Sequence, residues 1–202
     1  QILPDDMILD IGPKTINKII DVIDNSKTIL WNGPAGYFEN PNFANGSIKI
    51  AKKIVDEIIS LSEKNKCKII YPDDVLVSKY LNGSPVNKEL DQILPDDMIL
   101  DIGPKTINKI KNIIENSKTV LWNGPAGYFE NPNFANGSYE IAKTIIKKNK
   151  DKSIYSIAGG GDTIAVINQI NAIKDFNFVS TAGGAFLEYL EGKDLPGITV
   201  LK

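Results

Sequence analysis

The stretch that decides the fold is TVLWNGPAGYFE, at residues 119–130. It opens with a short apolar run, and the Asn-Gly-Pro that follows is typical of a tight turn after a buried strand. Almost the same stretch, TILWNGPAGYFE, stands at residues 28–39. The sequence therefore predicts two copies of one element, a strand that ends in a glycine-containing loop.

This stretch belongs to a longer internal repeat. Residues 92–138 reproduce residues 1–47 with changes only at Ile20/Lys111, Asp21/Asn112, Val22/Ile113, Asp24/Glu115 and Ile29/Val120. Two copies with unequal spacers fit a solenoid poorly, because solenoids stack several evenly spaced units. Four changes fall on one predicted helix. The near-identity elsewhere indicates a recent duplication, in a chain that has been recombined or engineered.

Strands and helices alternate along the chain. Strands are predicted at residues 7–11, 28–31, 66–71, 98–102, 119–122, 153–157 and 176–179, with a short extra one at 75–77. Helices are predicted to start at Thr15 as an N-cap, at Ser47 and near Ser138, and to span 163–170 and 186–190. Residues 82–85 are predicted to be a surface turn.

This alternation implies parallel strand pairing. We therefore predict an α/β fold, a doubly wound (Rossmann-like) parallel sheet of about six strands with helices on both faces, in three layers. Ligands of such sheets bind at the carboxyl ends of the strands, where every glycine-rich run of this chain lies. Whether residues 7–11 or residues 98–102 lie in the main sheet stays open.

Composition excludes several classes of function. The net charge is −2 and the lysines are scattered, which argues against a nucleic-acid-binding protein. No apolar run is long enough to span a bilayer, and residues 1–20 do not resemble a signal peptide, so we expect no membrane association. Cys67 is the only cysteine. Without a disulfide framework, the expected location is cytoplasmic.

The chain also contains no histidine and no arginine, so all 23 positive side chains are lysines. Histidine is the commonest general base, and arginine is the side chain that clamps phosphates in a bidentate manner. Any chemistry of this chain must therefore use lysine, carboxylates and backbone amides.

The strongest candidate site is the run Gly159-Gly160-Gly161-Asp162-Thr163, between a predicted strand and a predicted helix. Glycines let the backbone approach a phosphate, and the free amides of the first helical turn point towards it. Thr163 adds a hydroxyl donor, and Asp162 could hold Mg²⁺ against the phosphates. The alternative is a plain tight turn with Asp162 as a helix cap. The spacing is not that of a dinucleotide-binding fingerprint.

Two further groups are candidates. Asn123-Gly124-Pro125 follows a strand, where Asn123 could donate to a phosphate, and Glu130 could accept hydrogen bonds from ribose hydroxyls. Lys14 and Lys18 lie four residues apart near the start of the first helix, on one face. The alternatives are ordinary turn residues for the first group and solvated surface charges for Glu130 and the lysines.

Taken together, these motifs resemble the carboxyl-terminal, nucleotide-binding domain of phosphoglycerate kinase. The matching runs are DIGPKT at 101–106, WNGPAG at 122–127, FE at 129–130, GGGDT at 159–163, STAGGA at 180–185 and LEGKDLPG at 190–197. The resemblance covers residues 66–202, and it implies a six-stranded parallel sheet that binds Mg-ADP or Mg-ATP.

The resemblance also implies a role for each candidate residue. Glu130 would meet the ribose, and Asn123, with the adjoining Gly124 and Pro125, would meet the phosphates. Gly159, Gly160, Gly161, Asp162 and Thr163 would hold the phosphates and Mg²⁺, with Asp162 as the metal ligand. Gly183 and Gly184 would face the transferred phosphoryl group.

The sequence departs from the family at its start. The first copy of the repeat stands where the family has a Gly-Gly-Ala-Lys motif with a second lysine four residues on, and Lys14 and Lys18 are in register with those lysines. We therefore expect residues 1–202 to be a single nucleotide-binding domain, made of a duplicated half (1–65) and a family-like half (66–202).

The family's amino-terminal domain, which supplies the arginine-containing 3-phosphoglycerate site, has no counterpart in this sequence. We therefore expect nucleotide binding without phosphoglycerate kinase activity, and assign no catalytic residue. One alternative is a folding chimera that binds no ligand, and another is a kinase fragment completed by a partner chain. A monomer is expected, and a domain-swapped dimer is the alternative.

Overall fold

The computed structural model describes residues 7–25, 41–182, 184–190 and 192–201. The chain forms two compact units, Gln1–Ile70 and Tyr71–Lys202. The single domain expected from the sequence, with halves 1–65 and 66–202, stays a prediction. None of the described helices combines the length and the hydropathy that a bilayer crossing requires.

The described part of the amino-terminal unit is a pair of helices. Helix α1 spans Pro13–Asp24 and helix α2 spans Asn45–Lys64, with a single 3₁₀ turn at Pro41–Phe43 before α2. Ile16 and Ile23 of α1 are buried in this helix pair. The pairing follows from apolar residues that recur at helical spacing on one face of α1.

Three predictions about this unit are wrong. Thr15 does not cap α1, because the helix already begins at Pro13, whose fixed φ suits the first helical position, and Gly12 is the N-cap. Residues 7–11 are not a strand. Residues 66–71 are not a strand either, because Lys66 has a φ of 54° and Cys67 N donates to Ser62 O at 2.8 Å, which closes the end of α2.

The carboxyl-terminal unit begins with an antiparallel sheet. Its strands are β1 (Asp74–Ser78), β2 (Val86–Glu89) and β3 (Met98–Ile102), in the order β2-β1-β3. The short strand predicted at 75–77 is therefore confirmed, and the predicted turn at 82–85 joins it to β2. Strand β2 was not predicted, because Val-Asn-Lys-Glu has one apolar residue and lies half exposed at the sheet edge.

A parallel sheet follows, with strands β4 (Thr119–Asn123), β5 (Tyr155–Gly159) and β6 (Phe178–Ser180), in that order. The helices of this unit are α3 (Pro104–Glu115), α4 (Asn136–Lys150), α5 (Gly161–Gln169), α6 (Gly184–Leu190) and α7 (Pro196–Thr199). Single 3₁₀ turns lie at Leu90–Gln92, Pro132–Phe134 and Ile173–Asp175.

The hydrophobic core of this unit lies between the parallel sheet and helices α3, α4 and α5. Trp122 of β4 stacks on Phe176 with 6.3 Å between ring centroids, and Ile145 of α4 and Val166 of α5 are fully buried with them. On the other face, Phe186 of α6 lies 6.4 Å from Phe178 of β6, measured between ring centroids.

The α/β class and a parallel sheet are thus confirmed, but a single sheet of six parallel strands is not. In the described residues, the six strands form two sheets of three, and one of these is antiparallel. The strand predicted at residues 28–31 and its Asn-Gly-Pro loop at 32–34 lie outside the described residues.

Candidate functional site

The carboxyl ends of the three parallel strands lie side by side. Asn123, the last residue of β4, is paired in register with Gly159, which is paired with Ser180 at the end of β6. Parallel strands place their carboxyl ends at one sheet edge, so the two predicted runs at 123–125 and 159–163 meet there. The pairing of strands joins two motifs that stand 36 residues apart in the sequence.

The glycine-rich run turns from β5 directly into α5. Gly160 is the N-cap of α5 and has a φ of 88°, a conformation that glycine adopts without strain. Gly161 begins the helix, and a Cβ at this position would meet no neighbouring atom within 4 Å. The first-turn amides of α5 have no acceptor within the helix, so they can bind an anion.

Asn123 lies directly against this turn. A Cβ at Gly160 would stand 3.0 Å from Asn123 Oδ1, and one at Gly159 would stand 3.3 Å from the same atom. The Asn123 side chain is exposed to solvent. Glycine at both positions therefore lets an exposed amide group approach the start of α5, as the proposed phosphate contact requires.

Thr163 ties the two loops together. Its Oγ1 accepts a hydrogen bond from Gly124 N at 2.6 Å, and Gly124 has a φ of 110°. The Thr163 residue is fully buried. The hydroxyl that was predicted to donate to a phosphate thus accepts a hydrogen bond from a backbone amide, and its contact with a phosphate stays a prediction.

Asp162 and Glu130 are both exposed. Asp162 lies in the first turn of α5, where a carboxylate can face Mg²⁺ held by bound phosphates. Among the described residues, no group of three or more carboxylate or thiol side chains could hold a metal ion. The single exposed carboxylate of Asp162 fits a magnesium ion that phosphate oxygens would also bind.

Two hydrogen bonds hold the loop that carries Glu130. Ala126 N donates to Ser138 Oγ at 2.9 Å, and Tyr128 N donates to Leu100 O at 2.7 Å. These bonds fix the loop against the start of α4 and against β3. Pro125 is half buried in the same loop, and Gly184 is exposed at the first position of α6. Gly183 lies outside the described residues.

The lysines of the first copy lie in the other unit. Lys14 and Lys18 are exposed on α1. Their counterparts in the second copy form ion pairs instead: Lys105 with Glu89, and Lys109 with Asp73 at 2.7 Å. A phosphate-binding role for Lys14 and Lys18 therefore stays a prediction.

One buried carboxylate beneath the site was missed. Asp101 of β3 accepts hydrogen bonds from Ile102 N and Gly137 N, both at 2.8 Å, and only 2% of the residue is exposed. A Cβ at Gly127 would stand 2.5 Å from Asp101 Oδ1, so glycine is needed there. Burial raises the pKa of this carboxyl to about 6. The burial of Asp101 could have been inferred from its position as the one acidic residue in the apolar run at 98–102.

The chain matches the sequence model of one protein family. The family model of phosphoglycerate kinase matches residues 1–58 and also residues 52–193. The chain belongs to the phosphoglycerate kinase family. The two matched stretches overlap at residues 52–58, within α2, where the first copy of the repeat has just ended.

Comparison with individual members of the phosphoglycerate kinase family shows how much of their length this chain matches. The enzyme of Zymomonas mobilis is 44% identical over 153 residues, which are 75% of this chain and 38% of that protein. The enzyme of Rhodopseudomonas palustris is 37% identical over 211 residues, covering 97% of this chain and 52% of that protein. The chain thus spans about half the length of these relatives, or less.

Solved phosphoglycerate kinase structures share the fold. The structure from Coxiella burnetii matches with a TM-score of 0.63 and 32% identity, covering 93% of this chain and 44% of that one. The structure from Pyrococcus horikoshii matches with a TM-score of 0.61 and 28% identity, covering 91% of this chain and 42% of that one.

Proposed function

We propose that the chain binds Mg-ADP or Mg-ATP at the carboxyl edge of its parallel sheet. The observation that carries the proposal is the approach of Asn123 to Gly160 at the start of α5. An exposed amide side chain, a glycine turn and free helix amides meet at one point, which is the arrangement that binds phosphate groups. Family membership supports a nucleotide as the phosphate-bearing ligand.

Each residue of the site has a proposed role. The amides of Gly161 and Asp162 and the side chain of Asn123 bind phosphate oxygens. The carboxylate of Asp162 holds Mg²⁺, which in proteins is often bound by one or two carboxylates together with substrate phosphates. Glu130 accepts from the ribose hydroxyls, and Gly183 and Gly184 face the terminal phosphate.

We further propose that the first copy of the repeat replaces the first half of the family's nucleotide-binding domain. Two observations support this proposal: the near-identity of residues 1–47 and 92–138, and the two overlapping family matches. On this proposal, Lys14 and Lys18 occupy the sequence positions of the family's two lysines. The chain is, on this proposal, a recombined or engineered hybrid.

Phosphoryl transfer by the 202-residue chain alone is not part of the proposed function. A positive group on the transferred phosphoryl contributes about 10³ to 10⁵ in rate, typically from an arginine, and this chain contains none. We expect no turnover of 3-phosphoglycerate in a coupled assay above the buffer control. Turnover that scales with protein concentration would contradict this expectation.

The binding proposal is tested by calorimetry. We expect Mg-ADP to bind with a Kd of about 0.1–1 mM, which corresponds to roughly −4 to −5.5 kcal/mol. Asp162→Ala should weaken binding of Mg-ADP, and the loss should disappear when ADP is titrated with EDTA instead of Mg²⁺. Asp151→Ala is the matched control, because Asp151 is exposed at the far end of α4.

The outcomes separate the two classes of function. Binding that Asp162→Ala loses and Asp151→Ala retains supports the nucleotide site at α5. No binding heat from well-folded protein supports the alternative of a folding chimera without a ligand. Binding that neither substitution changes would place the nucleotide elsewhere and overturn the assignment of Asp162.

A further inference from the structure

Helix α2 carries a row of exposed apolar side chains, on the side of the helix opposite the buried Ile50. The α2 stripe, as we call this row, consists of a half-buried Ala51 and four large residues that are 60%, 50%, 50% and 46% exposed: Ile48, Val55, Ile58 and Ile59. A surface helix normally exposes a polar side, and a contiguous row of exposed apolar residues marks an interaction surface.

The spacing of the α2 stripe indicates what shape of partner fits it. Positions 48, 51, 55 and 58 follow one another at intervals of three, four and three residues. Alternating intervals of three and four are the pattern by which two helices pack along a common seam. The partner that fits is therefore a second helix with a similar apolar row, lying nearly parallel or antiparallel to α2.

The corresponding side of α4 shows that such a helix side can form an interface. Tyr139, Ala142 and Ile146 of α4 stand 91 residues after Ile48, Ala51 and Val55, in the register of the repeat. Ala142 is fully buried, and the other two pack against the core of the carboxyl-terminal unit.

Helix α5 lies against this side of α4, where Tyr139 Oη donates to Gln169 Oε1 at 2.8 Å. The α2 stripe is thus the exposed counterpart of a helix side that is covered in the second copy.

Charges beside the α2 stripe favour one orientation of the partner. Lys49 and Lys52 lie in the first half of α2, and Asp56 and Glu63 lie in the second half. All four are exposed, and helical spacing places them along the same edge of the stripe. None of the four makes an ion pair with another described residue. An antiparallel second copy of α2 sets the lysines of each helix opposite the acids of the other.

We propose that the α2 stripe is a dimer interface, in which α2 of one chain packs antiparallel against α2 of a second copy of the same chain. Such an interface is self-complementary, as two-fold symmetry requires, because one row of residues and one charge pattern serve both partners. No segment is exchanged between the chains, which distinguishes this dimer from a domain-swapped one. The interface uses no residue of the proposed nucleotide site.

The interface is small, so the dimer should be weak and reversible. Each chain contributes one short row of apolar residues, which belongs to the low end of interface sizes, and we expect a Kd of about 10–100 μM. Sedimentation equilibrium of the 202-residue chain measures this Kd. A reducing agent is needed, because the exposed Cys67 could otherwise link two chains through a disulfide. A chain that stays monomeric up to about 1 mM would overturn the proposal.

The central substitution is Val55→Asp. It places a carboxylate without a partner in the apolar seam, twice by symmetry, and should raise the Kd for self-association at least about tenfold. Val200→Asp is the matched control, because Val200 is 85% exposed and lies near the carboxyl terminus of the chain. Circular dichroism shows whether both variants keep their helices. Equal weakening by the two substitutions, or a Val55→Asp variant that dimerises like the wild type, would overturn the proposal.

Charge reversal tests the orientation without changing the apolar row. The double variant Lys49→Glu, Lys52→Glu should raise the Kd about fivefold, and so should Asp56→Lys, Glu63→Lys, because each places like charges opposite one another in an antiparallel pair. An equimolar mixture of the two double variants should form a heterodimer at least as tight as the wild-type dimer. If neither reversal changes the Kd, the antiparallel arrangement is wrong.

The same variants distinguish the other possible occupants of the stripe. A dimer that persists in Val55→Asp and in both charge reversals would be a domain-swapped dimer, and would overturn the proposal. Calorimetry with Mg-ADP is read separately, and Val55→Asp should leave that Kd unchanged. A chain that dimerises without binding Mg-ADP would contradict the proposed function alone, and a monomer that binds Mg-ADP would contradict the dimer alone.

Discussion

Residues 7–12 and residues 98–103 have the same sequence, Met-Ile-Leu-Asp-Ile-Gly, and only the second run forms a strand. Within the carboxyl-terminal unit, β3 lies beside β1, with Val75 paired to Ile102 and Ser78 to Met98. In the first copy, Met7 and Ile8 are exposed. A strand is stabilised by the neighbour that accepts and donates its backbone hydrogen bonds, so identical residues need not have identical structures.

Other features recur in both copies. Gly12 and Gly103 are N-caps with φ values of −79° and −81°, and each is followed by a proline in the first turn of a 12-residue helix. The aspartate before each helix also repeats its bonds: Asp10 accepts from Gly46 N at 3.0 Å, and Asp101 accepts from Gly137 N at 2.8 Å. These features are formed by residues that lie inside the repeat, so both copies have them.

The helix starts differ in their acceptor. Thr15 N donates to Gly12 O at 3.0 Å, and the Thr15 side chain is exposed. In the second copy, Thr106 N and Thr106 Oγ1 both donate to Asp74 Oδ1 at 2.8 Å, and Thr106 is buried. Asp74 lies outside the repeat, so the repeated sequence does not itself supply this acceptor. The buried threonine is the one whose amide and hydroxyl donate to a carboxylate, and the exposed threonine donates to the backbone of its own helix start.

The largest expected effect comes from removing that carboxylate. Asp74→Ala leaves the buried amide and hydroxyl donors at the start of α3 without their acceptor, and should lower the free energy of unfolding by about 3–4 kcal/mol. Asp73→Ala is the control, because Asp73 makes an exposed ion pair with Lys109 and should cost less than about 1 kcal/mol. Urea unfolding followed by Trp122 fluorescence in a Trp31→Phe background measures both. Equal losses would contradict the role of Asp74.

The next effect is a pH dependence that Asp101 gives to stability. The pKa of the folded carboxyl is about 6, above the ordinary value of 3.8, so the folded state holds the proton more tightly than the unfolded state. This contribution to the free energy of unfolding is complete below pH 3.8 and is lost as the pH rises through 6, by about 2–3 kcal/mol. Asp101→Asn should remove this slope in unfolding measured between pH 4 and pH 7.

Asp10→Asn serves as the control for that slope, because Asp10 occupies the same position in the first copy and is half exposed. The Asp10→Asn variant should keep the wild-type pH profile. A profile that Asp101→Asn leaves unchanged would show that another group titrates in this range.

The smallest expected effect comes from substitutions at Thr15 and Thr106, which occupy equivalent positions in the two copies. Thr106→Val removes a buried hydroxyl that bonds to Asp74 and should cost about 1–2 kcal/mol. Thr15→Val changes an exposed residue and should alter the free energy of unfolding by less than about 0.5 kcal/mol. Both variants can be measured by urea unfolding under one set of conditions. If Thr15→Val costs as much as Thr106→Val, the two helix starts are equivalent, and the comparison fails.

The positions of the two loops of the candidate site could be predicted from the sequence, because they consist of residues that are typical of turns. Asn123-Gly124-Pro125 and Gly159–Gly161 interrupt apolar runs, and such interruptions are typical of the turns that follow strands. The burial of Thr163 could not be predicted, because the sequence shows the type of a residue and not its exposure. Which group it contacts depends on Gly124, 39 residues earlier in the chain.

The sequence by itself determined the approximate positions of helices α1, α2, α4, α5 and α6, the glycine turns and the types of chemical group that follow the strands, because each depends on residues a few positions apart. Only the tertiary structure decided that residues 98–102 form a strand while the identical residues 7–11 do not, that β1 to β3 form an antiparallel sheet and that Asp101 and Thr163 are buried. These outcomes depend on partners brought together from distant parts of the chain, as Val75 and Asp74 are brought to β3 and α3. Two copies of one sequence in one chain differ for that reason.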